Sequence, residues 1–198
     1  FDIDAICSDL VYARILDPGS KLSSYKTASS FLEQSKYELH DVYRALGTLS
    51  KEMDHILAEV YKNSNHILKR NNSVLYYDCT NYYFEIEAED DFRQYDKSKE
   101  HRPSPIVQMG LFMDGDGIPL TFDLFEGASN EQPSMRPLEQ KIRRDFGFQR
   151  FVVCTDGGLG SENNRLFNDI DGRVFICTQS FKKLNRKERE AAMSNQRW

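Results

Sequence analysis

The sequence lacks paired cysteines, long apolar runs and internal repeats, and each absence excludes a class of protein. Its four cysteines are scattered with no CxxC pair, which indicates small apolar core residues in a reducing compartment rather than a disulfide or zinc framework. No apolar run approaches the roughly 20 residues that a membrane-spanning helix needs. There is also no basic-then-apolar signal segment and no low-complexity tract.

Charge of neither sign dominates the chain. Lys and Arg number 26 against 31 Asp and Glu, and the net charge of -5 argues against a uniformly basic nucleic-acid binder. The charges are clustered, however: Glu85–Asp91 has five acidic and no basic residues, whereas Lys182–Arg197 has six basic and two acidic ones. With 39% hydrophobic residues among 198, the composition predicts a folded chain with a sizeable core.

The first 72 residues have a helical pattern. A helical face made by Ile3, Ile6, Leu10, Ala13 and Leu16 ends at the breaker Asp17–Ser20. The pattern predicts further helices over Ser23–Gln34, capped by Ser23 or Ser24, and from about Asp41 to about Arg70 with a break at Gly47–Ser50. We interpret this region as a small helical bundle, since no DNA-binding motif is present in it.

From Val74 the pattern becomes typical of strands separated by helices. Strands are predicted at Val74–Ile86, Ile106–Met113, Pro119–Phe125, Phe151–Thr155 and Val174–Thr178, and helices from Ser129 or Asn130 to Phe146, over Glu162–Asp169 after the cap Ser161, and in the basic tail from Phe181. The turn Asp114–Gly117 is a hairpin signal, and it does not match a calcium loop. The order β-β-β-α-β-α-β predicts an α/β mixed sheet in residues 73–198, after the helical region 1–72.

Two aspartates stand out because each lies in or directly after an apolar strand. Asp78 lies inside Val74–Ile86, and Asp156 follows Phe151–Thr155. A carboxylate in so apolar a strand is expensive to bury unless its charge is paired. In the predicted sheet the two can become neighbours, and neighbouring carboxylates repel unless a divalent cation bridges them. Carboxylate oxygens select Mg²⁺ or Mn²⁺, and two such ions about 3.5–4 Å apart promote phosphoryl transfer.

The residues around these aspartates resemble a known family. The segments Tyr77–Glu85, Tyr95–Pro103, Gly115–Leu120, Phe125–Gly127 and Thr155–Leu159 are similar, in this order, to motifs of IS4-type DDE transposases of the IS1634-like group. The resemblance implies an RNase H-like fold, with Asp78 and Asp156 as the first two acids of the DDE triad and two Mg²⁺ (or Mn²⁺) ions as cofactors. It also implies cut-and-paste cleavage and strand transfer, with transposon terminal inverted repeats and target DNA as partners, a homodimer on DNA, and the bacterial cytoplasm, at the nucleoid, as the location.

The third acid of the family's triad, a Glu on a late helix, has no match here. Glu188 and Glu190 lack the surrounding pattern, and we interpret them as part of a solvated helix face. We therefore expect the true Glu beyond Trp198, a catalytic core truncated at its C-terminus and an inactive fragment. The first residue, Phe1 rather than Met, also suggests part of a longer protein.

Other features have both an ordinary and a functional interpretation. The charged loop with Lys97, Lys99, His101 and Arg102 is a solvated loop by composition, whereas the resemblance implies contact with DNA there. The glycines of Gly157–Ser161 favour a tight turn beside Asp156 over a phosphate-binding loop. The aromatic cluster Tyr76–Phe84 favours packing on both sheet faces over base stacking, and the basic tail Lys182–Arg197 suits DNA contact and a solvated helix equally.

The sequence leaves three other interpretations open and disfavours a fourth. A lone Asp commonly caps a turn or pairs with a surface Lys. A haloacid-dehalogenase-type phosphatase has Asp-x-Asp after its first strand, whereas this chain has Asp78-Cys79-Thr80, so that class is disfavoured. Another RNase H-like nuclease, or a decayed or repurposed remnant that binds DNA without cutting it, is compatible with the two acids.

Overall fold

A computed structural model describes residues 1–34, 36–96, 103–169 and 173–194. The chain divides into two compact units, Phe1–Ile56 and Leu57–Trp198. The division predicted from the sequence, into a helical region 1–72 and a sheet domain 73–198, stays a prediction. In the described part of the chain, no helix is both long enough and apolar enough to cross a membrane.

The first unit is helical, as its pattern predicts. Helix α1 spans Ile3–Leu16, and Asp2 caps it by accepting hydrogen bonds from two backbone amides. Helix α2 spans Lys21–Ala28, so the predicted start and end of this helix were wrong. Its cap is Ser20, whose Oγ accepts the Ser23 amide at 3.1 Å, because the helix begins directly after the Pro18-Gly19 turn.

The next two helices meet at Glu52, not at the predicted break around Gly47–Ser50. Helix α3 spans Leu39–Lys51 and helix α4 spans Met53–Ser64. A single helical glycine such as Gly47 costs only about 1 kcal/mol relative to Ala, and burial of neighbouring side chains on α3 outweighs that cost. Helix α4 also ends earlier than predicted. The side chains of Ser64 and Asn65 bond to the Tyr61 carbonyl, at 2.6 and 2.9 Å, and so compete with helical backbone pairing.

The second unit contains a five-stranded mixed sheet, which confirms the predicted order β-β-β-α-β-α-β. The strands are β1 (Val74–Tyr83), β2 (Ile106–Met113), β3 (Pro119–Glu126), β4 (Val152–Thr155) and β5 (Val174–Cys177). They lie in the order β3-β2-β1-β4-β5. The pairs β1–β2 and β2–β3 are antiparallel, whereas β1–β4 and β4–β5 are parallel. Strand β1 ends three residues earlier than predicted, where the acidic segment begins.

The main core lies on one face of this sheet. Leu75, Tyr77 and Cys79 alternate along β1 and pack with helix α5 (Met135–Asp145). Tyr76 and Tyr82 point to the other face, where they are 43% and 50% exposed. The prediction that the aromatic cluster is packed on both faces was therefore wrong, because β1 alternates between a buried and an open side.

The remaining helices are shorter than predicted. A 3₁₀ turn over Gln132–Ser134, with Pro133 in it, precedes α5, which therefore begins at Met135 rather than near Ser129. Helix α6 spans Glu162–Asn168, and Ser161 caps it as predicted. In the basic tail, helix α7 spans Arg186–Ala192.

The Asp114–Gly117 turn is a hairpin turn, as predicted, and its first residue, Asp114, is buried. Asp114 Oδ1 accepts the amides of Asp116 and Ile118 at 3.0 and 2.9 Å. Its Oδ2 accepts Arg70 Nε at 2.5 Å, and both side chains are almost fully buried. The two carboxylate oxygens are therefore occupied by the turn and by Arg70, which explains why this Asp-rich segment is structural.

Candidate active site

The register of the parallel pair β1–β4 brings the two predicted acids to the same edge of the sheet. Tyr77 pairs with Thr155, which is the last pair between these two strands. Asp78 follows Tyr77 and Asp156 follows Thr155, so the two aspartates leave this last pair from adjacent backbone positions. Strand β4 ends at Thr155, and the carboxyl end of a parallel strand is where α/β sheets bind their ligands.

Both carboxylates are exposed, which corrects the premise that Asp78 is buried in an apolar strand. Asp78 lies on the open face of β1, between the buried Tyr77 and Cys79. Asp156 lies in the loop that follows β4, and it is exposed as well. Burial therefore provides no reason for pairing these charges. Only the closeness of the two aspartates, which follows from the strand order, still supports a shared cation.

Backbone amides fix the orientation of both carboxylates. Asp78 Oδ1 accepts the Cys79 amide at 2.9 Å. Asp156 Oδ1 accepts the amides of Gly158 at 3.1 Å and Leu159 at 3.3 Å. In the described ranges all hydrogen bonds to these two side chains go to Oδ1, so Oδ2 of each is available to another ligand.

A buried polar cluster lies behind Asp78. The Ser134 hydroxyl donates to the Glu131 carbonyl at 2.5 Å, so the Tyr77 hydroxyl donates to Ser134 Oγ, also at 2.5 Å. The Cys79 thiol donates to the Tyr77 oxygen at 3.4 Å. Burial raises the pKa of Tyr77 and the pKa of Cys79. The Tyr77 hydroxyl and the Cys79 thiol are thus both parts of one buried hydrogen-bonded cluster with Ser134.

The turn after Asp156 needs glycine for a close approach, as the sequence predicts. A Cβ on Gly157 would lie 2.9 Å from the Thr178 carbonyl oxygen, which is too close for any side chain. The next residue, Gly158, supplies one of the amides that hold Asp156. The segment thus acts as a tight turn that supports the carboxylate.

The two aspartates suit a divalent cation by their chemistry. Each offers a hard carboxylate oxygen on the solvent side, the type of ligand that Mg²⁺ and Mn²⁺ prefer. Among the described residues, no group of three or more His, Cys, Asp or Glu side chains converges on one point. Asp78 and Asp156 thus form a pair, and their role as metal ligands stays a prediction.

The other predicted site residues lie apart from this pair or outside the described ranges. The predicted DNA-contacting residues Lys97, Lys99, His101 and Arg102 all lie outside the described residues. Glu188 and Glu190 are exposed on α7, where Glu188 completes a capping box with Asn185 and Glu190 pairs with Arg186. This agrees with the interpretation of both glutamates as a solvated helix face.

The polar residues that support the site could not be predicted from the sequence. Ser134 lies 57 residues from Tyr77 in the chain. Asn164, on α6, bonds to the loop after Asp156, as described below. The only local signal for Asn164 is its position three residues after the cap Ser161, whose Oγ accepts its amide at 3.2 Å.

No sequence-family profile and no curated protein matches this chain. Among solved structures it is similar to the piggyBac transposase synaptic complex with hairpin DNA. That match has 10% sequence identity and a TM-score of 0.50, and it covers 99% of this chain and 44% of that chain. The fold is RNase H-like. The similarity at this low identity concerns the fold alone.

Structures of Mos1 transposase also match, but more weakly. The paired-end complex with the left transposon end shows 11% identity and a TM-score of 0.38, over 88% of this chain and 58% of that chain. The mariner paired-end complex with Mn shows 12% identity and a TM-score of 0.40, over 87% and 59%. The chain thus spans about half the length of the solved structures that it matches.

Proposed function

We propose that this chain is the helical N-terminal region and part of the catalytic domain of a cut-and-paste DDE transposase. One observation carries the proposal: the parallel pairing of β1 and β4 ends at Tyr77 and Thr155, so Asp78 and Asp156 follow at the same end of two neighbouring strands of an RNase H-like sheet. The piggyBac transposase, which is seen with hairpin DNA, has a similar fold and supports DNA as the partner. The sequence motifs favour the IS4-type, IS1634-like group within this class.

In this proposal Asp78 and Asp156 hold two Mg²⁺ or Mn²⁺ ions through their outward carboxylate oxygens. When bound, such ions supply Lewis-acid stabilisation of the charge that develops in phosphoryl transfer. The chain's own contribution is to orient the carboxylates, since the amides of Cys79, Gly158 and Leu159 fix Oδ1 of each. A third acid would complete the site.

The proposed reaction has two steps at each transposon end. Water attacks the phosphodiester at the transposon end, which leaves a 5′-phosphate on one side of the break and releases a 3′-hydroxyl on the other. This hydroxyl then attacks a phosphodiester of the target DNA and displaces a 3′-hydroxyl of the target strand. Lys97, Lys99, His101 and Arg102 are proposed to contact the DNA backbone, as basic side chains commonly do. The full protein is proposed to act as a homodimer on paired transposon ends, at the nucleoid in a bacterial cytoplasm. Its helical N-terminal region is proposed to end at residue 72 and its catalytic domain to begin at residue 73.

An excision assay tests this proposal in the element that encodes the chain. The intact element is placed on a donor plasmid, and the repaired empty site is detected by PCR. We expect Asp78→Asn and Asp156→Asn each to abolish excision, because each removes a charged metal ligand. Asp116→Asn, the same substitution at an exposed hairpin residue, is the control and retains excision.

A non-cutting remnant is the second candidate, since it needs no third acid, and no group of three acids converges among the described residues. Excision that is absent from the unmodified element, combined with retained binding to its terminal DNA, supports the remnant. Excision that survives both aspartate substitutions contradicts the assignment of Asp78 and Asp156.

A further inference from the structure

Asn164 is a buried side chain that has no direct role in the proposed reaction. It lies on α6 and is fully buried. Its Nδ2 donates two hydrogen bonds, one to the Leu159 carbonyl at 2.9 Å and one to the Gln132 carbonyl at 2.8 Å. A primary amide has two N–H donors, so Asn164 uses both of them to join two separate segments.

The first of these segments is the loop that holds Asp156. Gly158 and Leu159 donate their amides to the Asp156 carboxylate. Their carbonyls are held from the other side: the Leu159 carbonyl by Asn164, and the Gly158 carbonyl by Gln132 Nε2 at 3.2 Å. The peptide unit between Gly158 and Leu159 is therefore held at its carbonyl and at its amide, and Asn164 holds the carbonyl of the peptide unit that follows it.

The second segment is the 3₁₀ turn Gln132–Ser134, and it also reaches the strand of Asp78. Ser134 bonds to Tyr77, the residue that directly precedes Asp78. The turn is thus joined to the loop after β4 through Asn164 and Gln132, and to strand β1 through the side-chain hydroxyl of Tyr77. A shift of this turn relative to either segment changes the spacing of the two carboxylates.

We infer that Asn164 is a positioning residue for the Asp156 carboxylate, and that it sets the spacing of the acid pair by tying the loop after β4 to the 3₁₀ turn. This inference rests on the proposed function, because spacing matters only if both acids bind metal together. Outer hydrogen bonds of this kind commonly change metal affinity by about 10- to 100-fold when they are removed.

Asn168 provides a matched control on the same helix. It is almost fully buried, and its Nδ2 donates to the Asn164 carbonyl within α6 at 3.2 Å. Asn168→Ala therefore removes an equally buried amide, one helical turn further on, without touching the loop. A purely structural role of Asn164 predicts the same behaviour for both substitutions.

The first measurement is amide hydrogen exchange of residues 156–160, which requires no metal. We expect Asn164→Ala to accelerate exchange there by about tenfold, while Asn168→Ala changes it by less than about twofold. Equal acceleration in both variants, or no acceleration in either, overturns the inference.

The second measurement is the Mn²⁺ dissociation constant, taken well below the unfolding temperature of each variant. We expect Asn164→Ala to raise it about tenfold or more, while Asn168→Ala leaves it within about twofold of the wild type. Unchanged affinity in Asn164→Ala, with wild-type binding that needs both aspartates, overturns the inference alone. Wild-type binding that does not need the aspartates contradicts the proposed metal site, and the inference falls with it.

Discussion

At the scale of single residues, the Tyr77 side chain on β1 fills the space beside Gly110 on the neighbouring strand β2. A Cβ on Gly110 would overlap the Tyr77 hydroxyl, which is held in place by Ser134. We expect Gly110→Ala to lower the free energy of unfolding by about 1–3 kcal/mol through overpacking. Tyr77→Phe removes the hydroxyl and its two buried hydrogen bonds, with Ser134 and with Cys79, at a cost of about 1–2 kcal/mol.

Urea denaturation of the double mutant tests this contact. Gly110→Ala is expected to cost less in the Tyr77→Phe background than in the wild type, because the obstructing oxygen is gone. Tyr82→Phe, at a half-exposed position, is the control and changes stability by less than about 0.5 kcal/mol. An equal cost of Gly110→Ala in both backgrounds contradicts the proposed contact.

Glu139 is a buried carboxyl that makes stability depend on pH. It is fully buried on α5, and burial raises its pKa above the usual value of 4.5, although Arg143 and Arg173 oppose the shift. As pH rises above about 4.5, the unfolded chain therefore loses this proton before the folded protein does. The folded state is favoured below that pH, and the advantage is lost as pH rises through the raised pKa.

We expect Glu139→Gln to remove this loss, since a glutamine does not titrate. The free energy of unfolding of the variant should rise relative to the wild type between about pH 4 and pH 8. Urea denaturation across this range measures the difference, and the low-pH end is the internal reference, where the protonated Glu139 resembles glutamine. A difference that stays constant, or that moves in favour of the wild type, contradicts the expectation.

At the scale of elements, local signals could be predicted from the sequence and distant contacts could not. The Ser161 cap and the Asp114–Gly117 hairpin follow from neighbouring residues, and both are present. The end of α4 was missed, because Ser64 and Asn65 compete for helix carbonyls in a way that apolar periodicity does not reveal.

The site shows the same division. The closeness of Asp78 and Asp156 follows from strand order and could be inferred from the alternation of strands and helices. Their exposure could not, since both faces of β1 are similarly apolar in sequence and only packing against α5 distinguishes them. The support from Ser134 and Asn164 depends on contacts between distant segments, which leave no pattern in the chain.

Two glycines in different elements give substitutions of opposite sign. Gly147, just after α5, has a φ of 71°, which disfavours any residue with a side chain, and a Cβ there meets no atom within 4 Å. Gly47 lies in the exposed face of α3, where a Cβ also meets nothing within 4 Å. Space is equal at both positions, so the backbone conformation alone decides the outcome.

We expect Gly147→Ala to destabilise its unit by about 1 kcal/mol and Gly47→Ala to stabilise its unit by about 0.5–1 kcal/mol. Denaturation followed by circular dichroism, with hydrogen exchange to assign the change to each unit, measures both. Effects of the same sign at the two positions argue against the assigned backbone conformations.

At the scale of the whole molecule, two segments that lie far apart in the sequence contribute to the proposed metal site. Strand β1 and the loop after β4 each bring one aspartate to the same sheet edge, and an RNase H-like strand order makes them neighbours. The chain covers 44% of the piggyBac transposase chain whose fold it resembles.

Calorimetric titration with Mn²⁺ tests whether Asp78 and Asp156 together form a metal site. We predict that the wild-type chain binds Mn²⁺, that Asp78→Asn and Asp156→Asn each weaken binding by about tenfold or more, and that Asp116→Asn leaves it unchanged. The double substitution at Asp78 and Asp156 should lose little beyond the larger single effect, because both residues serve one site. Binding that survives the double substitution at wild-type strength would contradict the account.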